Sequence, residues 1–222
     1  MILTKEKQYN ELIDDDNLQG SVQLGLTTSH TYRNNPRRLT FLLSRYKFIS
    51  KLFDGLNNVL EVGCGDAFGS TLVANCVKKC TDFDPIFIDN AKYLRKEASN
   101  REFKVHDILL SKTDESFDGI YSLDVLEHIS KNEESIYMKN ILQSLLPNGI
   151  VAIGMPTLES QKYASKQSKI GHINCKSSEE LKQFCSKYFH NVFVFSMNDE
   201  VIHTGFYPMS HYIIALCVNK KT

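Results

Sequence analysis

The sequence carries no net charge, since its 26 Lys and Arg are matched by 26 Asp and Glu. A protein held to its partner mainly through phosphates needs a cationic surface, so composition argues against a nucleic-acid partner. There is no C-x-x-C. The six cysteines are scattered at positions 64, 76, 80, 175, 185 and 217. Zinc-ligand spacing is missing, so no metal site is expected and the thiols read as reduced and mostly buried. No apolar segment opens the chain: Met1 to Gly20 is polar and includes Asp14-Asp15-Asp16. No run approaches the roughly 18 apolar residues of a membrane span. A soluble, cytoplasmic protein with no membrane partner is the expectation. Internal repeats and low-complexity stretches are also lacking. What is present is globular: 222 residues, 42% apolar and 23% charged, long enough for one large domain.

Residues 1–35 are polar and weakly periodic, and read as an N-terminal arm that is mobile or ordered by ligand. Residues 36–222 read as one domain. From Arg37 to Phe53, Leu39, Leu42, Leu43, Tyr46, Ile49 and Phe53 recur with helical spacing behind Pro36. Strands are expected at 58–62, 79–82, 102–106, 118–123, 150–154, 192–196 and 212–218. Helices are expected at about 68–77, 85–98, 133–146 and 177–188, the last opened by Ser177-Ser178-Glu179-Glu180. Strands alternating with helices predict a three-layer, doubly wound α/β fold around a seven-stranded, mostly parallel sheet with the last strand antiparallel. A ligand belongs at the carboxyl ends of such strands, at the topological switch point.

Val59-Leu60-Glu61-Val62-Gly63-Cys64-Gly65 is a buried strand ending in Gly-x-Gly, where glycine allows close backbone approach to a ligand. Asp82 follows Gly63 by 19 residues, at the end of the next strand, placed to accept both ribose hydroxyls of a nucleoside. The spacing Gly63-x-Gly65-x-x-x-Gly69 departs from the dinucleotide G-x-G-x-x-G.

Leu60-Glu61-Val62-Gly63-Cys64-Gly65 resembles the glycine motif of class I S-adenosylmethionine-dependent methyltransferases. Thr81-Asp82-Phe83-Asp84-Pro85 resembles the second acidic motif of that family, and His106-Asp107-Ile108 its adenine-contacting segment. Ser116-Phe117-Asp118-Gly119-Ile120-Tyr121-Ser122-Leu123-Asp124-Val125-Leu126-Glu127-His128 resembles the strand-four signature of the ubiquinone-biosynthesis O-methyltransferase-like branch. Leu145-Leu146-Pro147-Asn148-Gly149 is similar to that branch's turn before strand five. The likeness runs from about Asn35 to Cys217, and implies S-adenosyl-L-methionine as cofactor.

On this resemblance Glu61 orients the glycine loop and the methionine amino group. Gly63, Cys64 and Gly65 pass under the methionine part. Asp82 takes the ribose, Phe83 and Ile108 flank the adenine segment, Asp107 accepts from the adenine amino group, and Leu123 lies along the cofactor. Arg38, with Arg37 as fallback, meets the cofactor carboxylate.

Methyl transfer from a sulfonium mainly requires alignment, with a general base only for a protonated nucleophile. Three histidines are candidates for that base or for acceptor contact. His128 follows strand four. His172 follows the lid-like stretch 157–169. His203 lies in the long connection from Met197 to His211. The expected acceptor is a small molecule, met through an oxygen nucleophile. Arg45-Tyr46-Lys47-Phe48 and the segment 198–206 resemble methyltransferases associated with bacterial surface-polysaccharide synthesis, which implies a sugar or phosphorylated precursor. A monomer or homodimer is expected. The competing readings are a nicotinamide-dependent oxidoreductase, a non-catalytic S-adenosylmethionine-binding protein and a nucleic-acid methyltransferase. Metal assistance through Asp124 and Asp199 carries little weight.

Overall fold

Strand β1 (Val59–Val62) is buried along its whole length, and its side chains alternate between two separate cores. Leu60 and Val62 join one hydrophobic cluster, whereas Val59 belongs to the other. This is what a strand covered on both faces requires. The computed structural model describes residues 4–73, 76–96 and 100–221.

Around β1 the sheet adds β2 (Val77–Asp82), β3 (Glu102–Val105), β4 (Phe117–Leu123), β5 (Leu145–Pro156), β6 (Phe189–Asn198), β7 (Val201–His203) and β8 (Tyr212–Lys220). The order is β3-β2-β1-β4-β5-β8-β6-β7. Strands β1 to β5 pair in parallel. β8 pairs antiparallel with both β5 and β6. Chain order reverses between β1 and β4, which opens a crevice at their carboxyl ends.

Helices α3 (Arg38–Leu52) and α4 (Pro85–Leu94) cover one face through Tyr46, Ile49, Ile88 and Ala91. Helices α5 (Glu134–Gln143) and α7 (Ser178–Ser186) cover the other through Tyr137, Met138, Ile141, Leu181 and Phe184, with the short α6 (Lys166–Gly171) between them in the chain. The cap expected for α7 is present: Ser177 accepts from the Glu180 backbone while the Glu180 side chain accepts from the Ser177 backbone.

Three expectations are corrected. The sheet has eight strands, not seven. Asn198, Asp199, Glu200 and Val201 form a tight hairpin with Asp199 at φ 50°, and Val201–His203 then pairs on β6. The turn lets part of the presumed loop satisfy its backbone groups on an open sheet edge. Second, the helix expected over 68–77 is only the single turn Gly69–Val73, with residues 74 and 75 outside the described set. A Cβ at Gly69 would meet the Tyr46 ring at 2.2 Å, so this segment lies tight against α3. The end expected for α4, at Ala98, also falls outside the described residues; the helix closes at Leu94. Third, the arm contains two helices, α1 (Asn10–Gln19) and α2 (Leu26–Asn34). Their weak apolar periodicity hid them, because α2 docks mainly by hydrogen bonds.

Candidate active site

The Gly-x-Gly turn takes its shape from backbone conformations that favour glycine. Gly63 has φ 79° and Gly65 φ 53°, and a Cβ on Gly63 would strike Val125 Cγ2 at 2.2 Å. Gly65 faces open space, where an added Cβ would find only Thr27 Oγ1 at 3.7 Å.

Two buried or half-buried carboxylates fix the loop from either side. Asp82 accepts from the Gly65 N–H at 3.1 Å and from the Asp84 N–H at 3.0 Å. Burial raises its pKa above the ordinary carboxylate value, and these backbone donors oppose the rise. Asp66 accepts from Thr27 Oγ1 at 2.7 Å, Thr28 N at 2.8 Å and Thr28 Oγ1 at 2.9 Å. That triple contact pins the start of α2 onto the glycine loop.

Glu61 sits below the loop rather than in the cavity. Its carboxylate accepts from Tyr46 Oη and Tyr121 Oη, both at 2.8 Å, and from Ser70 Oγ. Period-two alternation points it to the α3 face, so the expected contact with a ligand amino group is corrected to a supporting role. Burial raises its pKa, and the hydroxyl donors offset part of that.

A cavity of about 680 Å³ opens at the switch point. Gly63, Gly65, Asp82, Phe83, Asp107 and Leu123 all line it, as does Cys64. Phe83 is 71% exposed, an apolar face offered to the solvent side of this cavity. Asp107 Oδ1 accepts from the Leu109 N–H at 2.8 Å. Ile108 is corrected: its side chain enters the core, its carbonyl accepts from Asn140 Nδ2 at 2.7 Å, and Leu109 lines the cavity instead. The turn capped by Asp107 swings the next side chain inward.

A second chamber of about 490 Å³ shares Thr31, Leu42, Asp124 and His128 with the first. Arg38 lines this chamber and not the larger one, and Arg37 lines neither. Arg45, two turns further along α3, pairs with Asp124 at 2.8 Å and stacks over Tyr212 with 3.6 Å between the guanidinium carbon and the ring centroid. Asp124 holds φ 57°, in the left-handed region, at the end of β4.

His128 lines both chambers and His172 the second. Their rings meet edge to face at 5.2 Å between centroids. Burial, and then His128, lower the pKa of His172. Glu127, His128 and His172 each offer one donor atom within 4.8 Å of the others. His203 is corrected: it lies on β7, bonded to Asn198 Oδ1 at 2.7 Å and to the Gly205 N–H at 2.9 Å, and lines neither chamber. His211, from the same connection, takes that place against Phe41. The imagined meeting of Asp124 with Asp199 is replaced by the Arg45 pair.

The sequence reading missed Arg45 and His211 as chamber residues. Arg45 had a signal: it falls with Arg38, Phe41 and Leu42 on one helical face at three- and four-residue spacing.

A family model described as a methyltransferase domain matches residues 32–188. No curated protein compared with the chain matches it. Solved structures share the fold. The N-methyltransferase NodS from Bradyrhizobium japonicum WM9, in complex with S-adenosyl-L-homocysteine, superimposes with TM-score 0.61 at 21% identity, covering 82% of this chain and 86% of that one. The CurJ carbon methyltransferase gives 0.66 at 15%, over 93% and 61%. The small RNA methyltransferase HEN1 gives 0.63 at 16%, over 80% and 25%.

Proposed function

The chain belongs to the methyltransferase-domain family, and on that premise we propose that it methylates an oxygen of a small, anionic acceptor with S-adenosyl-L-methionine as donor. One observation carries the cofactor reading. The Gly63–Gly65 turn, Asp82 and Asp107 converge on one wall of the cavity at the switch point. When bound, the cofactor supplies a methyl group already activated on a sulfonium. Asp82 is oriented for the ribose hydroxyls and Asp107 for the adenine amino group. Phe83 flanks the base, and Leu123 supports the methionine part. Residues 1–35 act as a lid on the 36–222 domain, held down by Asp66.

The acceptor enters the second chamber. Arg38 supports an anionic acceptor: among the described residues it has no ion pair, while Arg45 is already matched by Asp124. A phosphorylated sugar of surface-polysaccharide synthesis fits that chemistry. His128 and His172 are the candidates for acceptor contact, and the likeness to the ubiquinone-biosynthesis branch is in keeping with an oxygen nucleophile. We further propose a cytoplasmic monomer or homodimer. No helix of the described residues is long and apolar enough to cross a membrane.

The test is calorimetric titration with S-adenosylmethionine, S-adenosylhomocysteine and NAD, followed by methyl transfer to sugar phosphates, neutral sugars, amines and an RNA oligonucleotide. Binding of the first two ligands, with transfer to a sugar phosphate, is expected. No heat with S-adenosylmethionine sinks the cofactor reading, and transfer confined to RNA or amines sinks the acceptor reading.

A further inference from the structure

Glu127 is 0% exposed, and neither of its carboxylate oxygens has a hydrogen-bond partner among the described residues. Buried carboxylates are kept where something neutralises them, and each orphan calls for an explanation. Its basic neighbour in the chamber, Arg45, bonds Asp124 instead. What does face Glu127 is a pair of imidazoles, with one donor atom from each of the three side chains within 4.8 Å of the others.

Both imidazoles are held in a ligating tautomer. His128 Nδ1 lies 2.9 Å from the Gly171 carbonyl, which accepts only, so Nδ1 carries the proton and Nε2 the lone pair. His172 Nδ1 lies 2.9 Å from Gln161 Oε1. The amide of Gln161 is oriented by its own Nε2, which donates to the Thr157 carbonyl at 3.1 Å, so His172 also keeps its lone pair on Nε2. Carbonyl partners of this kind orient ligating histidines and raise their basicity. The backbone reinforces the pairing: the Glu127 carbonyl accepts from Ile173 N at 2.9 Å and Asn174 N at 3.0 Å, clamping the His172 segment onto the end of β4.

We propose that Glu127, His128 and His172 bind a divalent first-row transition metal on the wall of the acceptor chamber. This rests on the methyltransferase reading only for its role. Two imidazoles and one carboxylate leave coordination positions open, and suit zinc, iron or cobalt better than magnesium or calcium. The open positions take the acceptor hydroxyl. The metal lowers the pKa of that hydroxyl, whose proton leaves to solvent. The oxygen then donates a pair to the methyl carbon, and the C–S bond breaks with its electrons going to sulfur. The products are the methyl ether, S-adenosylhomocysteine and one proton, so no side-chain base is required.

The test uses the full chain dialysed against EDTA and titrated with Co²⁺, followed by calorimetry and by visible d–d absorption. One ion per chain with a d–d band is expected. His172→Ala and Glu127→Gln should each weaken Co²⁺ binding by about tenfold or more, with S-adenosylhomocysteine affinity unchanged. His128→Gln, closer in size, tests the same site should His172→Ala fail to fold. Absence of Co²⁺ binding by the wild type, or binding unchanged in the folded variants, overturns the metal site. The S-adenosylhomocysteine titration judges the methyltransferase reading separately.

Discussion

Arg45 crosses from α3 to Asp124 at the end of β4, its Nη1 2.8 Å from Oδ2 and 3.2 Å from Oδ1. The contact ties the helix before the first strand to the loop that walls both chambers, at a residue whose φ of 57° needs holding. Asp124 is one-third exposed and Arg45 less so, and solvent therefore weakens the pair only in part. A double-mutant cycle of Arg45→Gln and Asp124→Asn, read by urea unfolding, should give a coupling of about 1–2 kcal/mol. A coupling indistinguishable from zero would show the pair to be incidental.

Asp82 joins two tasks, since the oxygens proposed to meet the ribose also clamp Gly65 and Asp84. Asp82→Ala should weaken S-adenosylmethionine binding at least about tenfold, consistent with the roughly 1.5–3 kcal/mol of a hydrogen-bonded charged group. Titration calorimetry reads this directly. Unchanged affinity would remove the ribose assignment.

Asp66 holds the start of α2 by three hydrogen bonds, so its removal should free the lid without disturbing the sheet. Asp66→Ala should lose protection from hydrogen exchange across residues 26–34, by about 1–3 kcal/mol of local stability. Protection in α7 should stay the same. If residues 26–34 exchange as in the wild type, the docking of α2 rests on other contacts.

His211 has its Nε2 buried without a hydrogen-bond partner, and burial, followed by the Arg45 charge, lowers its pKa. The sign follows from proton counting. Below the ordinary histidine pKa of about 6.5 the unfolded chain takes up a proton that the folded chain refuses, so stability is lost as pH falls. The urea midpoint of the wild type should therefore drop more steeply between about pH 7 and 5 than that of His211→Gln. Parallel curves for the two proteins would show that His211 titrates normally in the fold.

The wall of the larger cavity was legible because parallel strands all present their carboxyl ends to one side. Reading Gly63, Asp82 and Asp107 as strand-end residues was therefore enough to bring them together. Positions that depend on a single step of register were not legible. Ile108 and Leu109 exchange core and cavity according to the turn that Asp107 caps. Glu61 belongs under the loop because Val59 and Glu61 share a strand face. His203 and His211 lie eight residues apart in one connection, and only the hairpin at Asp199 decides which reaches the chamber. The α2 helix escaped notice because polar contacts with Asp66 and Asn90 hold it, and hydrophobic periodicity carries no trace of those.

The placement of β8 also bears on how the protein is made. β8 is the latest strand in chain order, yet it lies between β5 and β6 and hydrogen-bonds to both. Until it arrives, each of those strands presents an unpaired edge, and β5 has waited since before α7 was synthesised. Open edges of apolar strands recruit other chains, and long-range pairings of this kind form slowly. A nascent chain halted before Tyr212 would hold the cofactor half of the sheet and the β6–β7 hairpin as two pieces with no strand to join them. Final closure of the sheet therefore waits for β8, and aggregation during expression should respond more to substitutions at Ile213 and Ala215 than to any change around the glycine loop.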